Sequence, residues 1–502
     1  MKRNRVTLKS AVSIVVVLCG LTSELNAAGP LELVEAIKRQ DHAAIVHLIT
    51  PEAANVVMAD GTTPLHWASY VEDTQTAQAL LKVGARQVPN RHGVTPLALA
   101  ALNGNASLIR LLIANGASAN TMIPGGETVL MTAARTGRLD AVTLLLEQGA
   151  DVNAVETSRQ QSALMWAAGE GYTPVVEKLL TSGARLDARS TGGFTAFLFA
   201  VRQGHIDTVK ALLQSGADAN ETTVRPSSFT RTAVPGYALG QRPQGSTSAL
   251  VLAVGSGHFE LASMLLDAGA NPNASQQGWT ALHELTWARK CGQGDNNPCP
   301  AVTGSIDGLE LARRLVAHGA DVNARMTQRA PMGTTELGNV GATPFLLAAR
   351  TADAPLLREL HRLGADPLLP NDEGTTPLMA AAGCGTYSPG EDPGTDGEAL
   401  EVVKITVELG GDLNTVDSKG DTAMHGAAYK FLPSVVRFLA ETGARPDVWN
   451  QKNKLGFTPL TIAEGILRAP TGVGDHVRLS LETATAIKQV LDPAERAASH
   501  GQ

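Results

Sequence analysis

The sequence predicts an all-α solenoid of about eleven helix-turn-helix units, joined by β-hairpin fingers and closed by a cap at each end. Three observations lead there. A phrase of Thr or Ser, a Pro or apolar residue and an Ala-rich run returns at Thr63, Thr95, Thr128, Ser162 and Thr195, at intervals of 32, 33, 34 and 33 residues. Each return is followed by a second apolar segment that stops on glycine, as in Leu80-Leu-Lys-Val-Gly84. The composition, 43% apolar but only 4% aromatic with 50 glycines, asks for a core of Ala, Leu and Val broken by frequent turns.

Taken in chain order, the first element is an export signal. Lys2, Arg3, Arg5 and Lys9 precede an apolar run from Ala11 to Leu21 and the small pair Ala27-Ala28. That run is shorter than the roughly 20 residues a membrane helix needs. Cleavage of residues 1–27 is therefore expected, leaving no stable membrane span and a periplasmic or secreted chain; the alternative is an anchor formed by the uncleaved signal. The net charge of −7, without clustered Lys and Arg, argues against a nucleic-acid partner.

Residues 28–60 read as N-terminal capping helices, with an amphipathic lead-in at 31–50, and 61–220 as regular repeats. Within a unit each position has a physical task. The Thr or Ser hydroxyl caps the amides exposed at a helix start, and Pro in the first turn forfeits no hydrogen bond. Ala133-Ala134 and Ala167-Ala168 allow close approach of neighbouring helices. Val142-Thr-Leu-Leu-Leu146 carries the apolar stripe of a second helix, Gly149 ends it, and Asp151-Val-Asn153 suits a turn. One such unit cannot bury its apolar face alone, so stability must come from stacking.

The phrase continues at Ser248, Thr280, Thr343, Thr376, Thr422 and Thr458. This pattern resembles the ankyrin-repeat family over residues 31–493, in an exported, bacterial-type form. The resemblance implies a concave face rimmed by fingers and a role in holding a protein partner, whose identity it does not specify.

The later intervals are longer: 53 residues from Thr195 to Ser248, 63 from Thr280 to Thr343, 46 from Thr376 to Thr422. The region 221–457 thus holds repeats with four inserted loops. Those at 221–246 and 324–341 follow Asp-x-Asn and lengthen fingers beside the concave face. Those at 289–307 and 383–397 fall between the two helices of a unit, which places them on the opposite edge. Long loops in compact repeats are often functional. Residues 458–493 form the C-terminal repeat and cap, and 494–502 a tail.

The unit beginning at Gly278 departs most from the pattern. Glu284 stands where other units carry an apolar side chain, so it needs a cationic partner, with Arg289 or Lys290 at hand, or else faces the groove. Phe194, Trp279 and Phe457 occupy the variable position before the Thr, which in ankyrin proteins often meets the partner. The candidate partner-binding patch is Phe194, Trp279, His283, Glu284, Trp287 and Arg289. Trp67 and Trp166 read as core, and His66, His283 and His425 as braces of the helix start.

No catalytic constellation stands out. His283-Glu-Leu-Thr lacks the second His of a zinc helix, since residue 287 is Trp, and neither a nucleophile elbow nor a phosphate loop is present. No catalytic residue, metal site or cofactor is assigned. The stretch Glu391 to Glu398 reads as a solvated acidic loop rather than a calcium site. Cys291 and Cys299 bracket a loop that an oxidising compartment would close as a disulfide, the alternative being two free thiols; Cys384 reads as a small buried side chain. The expected function is a non-catalytic protein-protein interaction scaffold acting outside the cytoplasm. The alternative is an enzyme or small-ligand-binding protein with a site framed by the inserted loops.

Overall fold

The computed structural model describes residues 28–224, 246–291, 300–329, 337–386, 389–390, 392–465 and 479–492. The expected signal at 1–27, nearly all of the 221–246 insertion, Cys299 and the 494–502 tail lie outside the described residues.

Each of the Thr or Ser positions singled out above immediately precedes a helix, from Thr63 before Pro64–Tyr70 to Thr458 before Pro459–Ala463. At Thr95, Thr195, Ser248 and Thr343, among others, the hydroxyl accepts the amide three residues on. These inner helices pack on one another in a single row: Pro64–Tyr70 on Pro96–Asn103, that on Val129–Thr136, and so on to Ala423–Lys430 on Pro459–Ala463. The Ala pairs at 133–134 and 167–168 are fully buried in that row, which is what lets the helices approach closely.

Outer helices form a second row, from Thr74–Lys82 on Ala106–Ala114 to Pro433–Thr442 on Leu481–Leu491. Contact is slight only between Ile206–Gln214 and Phe259–Asp267, on either side of the first insertion. Leu144 and Leu145 of Leu139–Glu147 are buried between the rows, each worth about 2 kcal/mol of burial. At the N-terminal end, Ala28–Arg39 covers Pro64–Tyr70 with Leu33, Val34 and Ile37 buried. At the other end Leu491 closes the last helix, Leu481–Leu491, whose Ala486 and Ile487 are buried.

The connections differ from the expected β-hairpins. Among the described residues no strand forms; isolated bridges join Met122 with Thr128, Val155 with Ser162 and Thr222 with Ser248, and Thr386 also stands in a bridge. The connections are tight turns instead, closed by bonds such as Asn90 N–H to Val94 O (2.9 Å) and Asp417 N–H to Asp421 O (3.0 Å). Most turns are joined to a neighbouring one by a backbone bond, as Thr191 N–H to Arg159 O and Lys454 N–H to Lys419 O. Two or three residues on each side of a turn are too few to build a ladder.

The Asn of Asp-x-Asn does more than tolerate a turn. Asn153 donates its side-chain amide to the carbonyl of Gly183 (3.0 Å) and accepts from the amide of Arg185 (2.9 Å), both in the next unit. Asn55, Asn120, Asn220, Asn273 and Asn323 make the same two-point clamp. Each clamp satisfies a carbonyl left over where a helix ends on glycine.

Candidate functional site

Two of the six residues chosen from the sequence are buried. Trp279 is 4% exposed and His283 fully buried. His283 braces its turn as expected: Nδ1 accepts the Thr280 amide (3.2 Å), and Nε2 meets the Ala342 carbonyl of the next unit (3.1 Å). His66 and His425 repeat the arrangement with the carbonyls of Val94 and Gln451. Burial draws the pKa of His283 and of His425 down to about 4, and that of His66 in the same direction. As placed, His283 and Trp279 offer no side-chain surface to a partner.

The partner of Glu284 is neither Arg289 nor Lys290. The Trp279 indole N–H donates to Oε2 (2.6 Å), and Trp279 and Trp287 meet edge to face at 5.8 Å. Oε1 lies over Gly255 of the preceding inner helix, where a Cβ would come within 2.5 Å of it, so the missing side chain makes room for the carboxyl. Burial pushes the Glu284 pKa up to about 7, against the opposing effect of the indole bond. Its raised pKa means that folding is favoured below about 4.5 and loses this contribution as pH rises through 7. Glu284→Gln keeps the indole bond and removes the charge. It is expected to be more stable than the parent by about 3 kcal/mol at pH 8 and equal to it at pH 4; parallel urea titrations at the two pH values read the difference.

Arg289 and Lys290 serve the far edge. Arg289 pairs with Asp353 (2.8 Å), and Lys290 donates to Glu398 (2.8 Å) and to the Ala352 carbonyl (2.9 Å). Lys290 and the Thr395 amide hold Glu398 down to about 2. Asp392 accepts from Arg350 in a buried pair, and Lys430, 4% exposed, donates to the Pro393 carbonyl. The stretch read as a solvated acidic loop is therefore tied down by three cations.

The 383–397 insertion is not confined to that edge either. The inner helix before it, Pro377–Ala381, stops after five residues, and Cys384 then crosses Ala423–Lys430 at Gly426. A Cβ on Gly426 would fall 2.6 Å from the Cys384 amide nitrogen. Gly385 reaches Leu337 of the 324–341 insertion, and the two segments enclose a cavity of about 200 Å³ with Asp417, Asp421, Tyr429 and Leu455.

Among the half-buried side chains of the inner-helix row are Trp67, Leu99, Trp166, Phe199 and Leu252, each four residues after the capping Thr or Ser, as is Glu284. Trp67 and Trp166 are thus at a surface rather than wholly in the core. Cations lie over the rings: Lys38 over Trp67 (4.5 Å), Arg135 over Trp166 (4.7 Å), and Arg202 over Phe194 (5.0 Å) and Phe199 (5.2 Å). Arg135 also faces Glu127 at 3.5 Å, whereas Arg202 has no carboxylate within ion-pair distance among the described residues. The equivalence of these positions is legible in the sequence; the cations above them are not.

Cys291 is disulfide-bonded and Cys384 is free and buried; Cys299, the expected partner of Cys291, lies outside the described residues. Among the described residues no group of three His, Cys, Asp or Glu is placed to hold a metal ion, and no helix is long and apolar enough to cross a membrane.

Comparison with known proteins bears on the family. The model for ankyrin repeats in three copies matches residues 33–123, 85–156, 101–190 and 130–223, and the single ankyrin repeat matches 247–276. The mouse B-cell lymphoma 3 protein homolog is 33% identical over 54% of this chain and 48% of its own length. Human ankyrin repeat and SOCS box protein 16 is 30% identical over 47% of this chain and 50% of its own. The chain spans about half the length of these two relatives. The human ASB11 ankyrin repeat domain, a solved structure, is 22% identical, with 55% of this chain and all of that one covered and a TM-score of 0.41. Both curated relatives are animal proteins, so the bacterial-type, exported character read from the sequence finds no support in them. Ankyrin repeats generally mediate protein-protein interaction, and these matches identify residues 33–223 and 247–276 of this chain as ankyrin repeats.

Proposed function

We propose that the chain is a non-catalytic scaffold that holds a protein partner against the inner-helix row, as an array of eleven units with the connecting turns as fingers. The observation that carries this reading is the line of half-buried Trp67, Trp166 and Phe199 under Lys38, Arg135 and Arg202. The indole N–H groups of Trp67 and Trp166 have no acceptor among the described residues. Aromatic and arginine side chains are the usual anchors of protein interfaces.

Action outside the cytoplasm rests on the sequence of residues 1–27 and on Cys291 in a disulfide, which we pair with Cys299. In this reading the domain order is a 1–27 signal, caps at 28–60, regular repeats at 61–220, insertion-bearing repeats at 221–457, and a last repeat and cap at 458–493.

The test is affinity capture from an extracellular extract by the full chain and by its Phe199→Ala/Arg202→Ala variant. A protein held by the parent should be retained at least tenfold less by the variant, at equal melting temperature. Equal capture by both would move the partner off this row.

A further inference from the structure

Three inner helices carry an arginine seven residues after the capping Thr: Arg135, Arg202 and Arg350. Each lies three residues beyond the position held by Trp67, Trp166 and Phe199 in their helices, and so shares that helix face. Two of the three have a carboxylate. Arg350, 6% exposed, donates through Nη2 to both oxygens of Asp392 (3.1 and 3.2 Å), which the fourth insertion brings over from the next unit. Arg135 faces Glu127, the residue before its own capping Thr, at 3.5 Å.

Arg202 has no such partner among the described residues. It is exposed, and its guanidinium rests on the rings of Phe194 (5.0 Å) and Phe199 (5.2 Å), which meet each other at 5.4 Å. The rings hold the group in place without neutralising it. Glu221, in the turn that follows this unit, is committed to Arg189 (3.0 Å) and to the Thr195 hydroxyl (3.0 Å). The first insertion has no acid to offer, since residues 225–245 contain three arginines and neither Asp nor Glu. Partial burial on the rings lowers the Arg202 pKa, and no carboxylate raises it again.

We propose that Arg202 anchors an acidic segment of the protein partner, whose Asp or Glu takes at Arg202 the place that Asp392 takes at Arg350. An apolar side chain beside that acid would lie on Phe199 and on Leu252, the half-buried residue of the next inner helix. A guanidinium fork already stacked on two rings loses little freedom when it pairs with a carboxylate. The chain as a whole carries a net charge of −7, so diffuse attraction does not bring an acidic segment here, and the local pair must select it. The proposal rests on the inner-helix row being the partner-binding face and adds the chemistry of what binds there.

Selection of a random linear peptide library on the full chain tests it. Enriched peptides are expected to share an Asp or Glu next to an apolar residue. Changing that acid to its amide should weaken a synthetic peptide at least tenfold, Arg202→Gln should do the same, and the two together should cost no more than either alone. Arg202→Glu should favour the peptide with Lys in place of the acid. Both substitutions fall on an exposed side chain and should leave the melting temperature unchanged. Arg110→Gln, at an exposed arginine of the outer helix Ala106–Ala114, should leave binding as it is. Peptides that need Phe199 but no acid would overturn the acidic partner while leaving the row as the binding face. Equal losses from Arg110→Gln and Arg202→Gln would reduce the effect to diffuse charge and overturn it as well. Peptides indifferent to both Phe199→Ala and Arg202→Gln, or no enrichment at all, would overturn the binding face together with the proposal.

Discussion

Lowering the pH from 7 towards 4 is expected to destabilise the array by several kcal/mol. In the unfolded chain His283 and His425 titrate near 6.5, whereas in the folded chain burial holds both down to about 4. The unfolded state therefore takes up protons first, and stability present above pH 6.5 is lost as pH falls through about 4. A depression of that size corresponds to about 3 kcal/mol for each imidazole. The loss has a clear structural origin. Nδ1 accepts an amide and Nε2 faces a carbonyl, so a second proton would point at the Thr280 or Thr422 N–H.

Glu284 opposes this trend, because it gains stability over the same fall in pH as its carboxyl becomes neutral. One carboxyl offsets about one imidazole, leaving a net loss of roughly 3 kcal/mol before His66 adds its share. The measurement is the urea midpoint between pH 7.5 and 4. Glu284→Gln should steepen the acid limb and His425→Gln should flatten it. A midpoint unchanged over that range would refute the account of the histidine braces.

The second large effect is expected at Gly426. At the equivalent position other units carry Trp67, Leu99, Thr132, Trp166, Phe199, Leu252, Glu284, Leu347, Ala380 or Ile462, and only here does the helix present bare backbone. Gly426→Val restores an ordinary side chain and drives its Cβ into the Cys384 amide at 2.6 Å and the thiol at 2.9 Å. Residues 382–386 must then leave the helix, at a cost of about 2–3 kcal/mol. Release should be visible as chemistry: Cys384, 2% exposed and neutral in the parent, should titrate as one additional thiol with an aromatic disulfide reagent. A variant whose thiol stays as unreactive as the parent's would mean the insertion does not lie across this helix.

These two sites show what a sequence displays and what it hides. Helix starts were legible because the capping Thr or Ser, its Pro and the Ala pairs fall within six residues of one another. The histidine braces were legible for the same reason. What failed was contact at long range. Arg289 and Lys290 were chosen for Glu284 because they are near in sequence, yet their carboxylates are Asp353 and Glu398, 64 and 108 residues away. The indole of Trp279, only five residues before Glu284, was read as a surface group and so was not considered. The path of the 383–397 insertion did leave a trace, a glycine where every other unit carries a side chain, but on a different unit some 40 residues later. The asparagine clamps escaped altogether, since their partners are backbone groups with no side-chain signature.

Those clamps bear on how such a chain can change. Asn220 holds the Gly269 carbonyl and the Asn271 amide across an intervening stretch of 49 residues, with the same geometry Asn153 uses across 30. At these six joints one side-chain amide helps to hold the stacking register, whatever length of chain loops out beside it. New segments can be tried at the turns, by evolution or by a protein engineer, while the joints on either side keep the array in line.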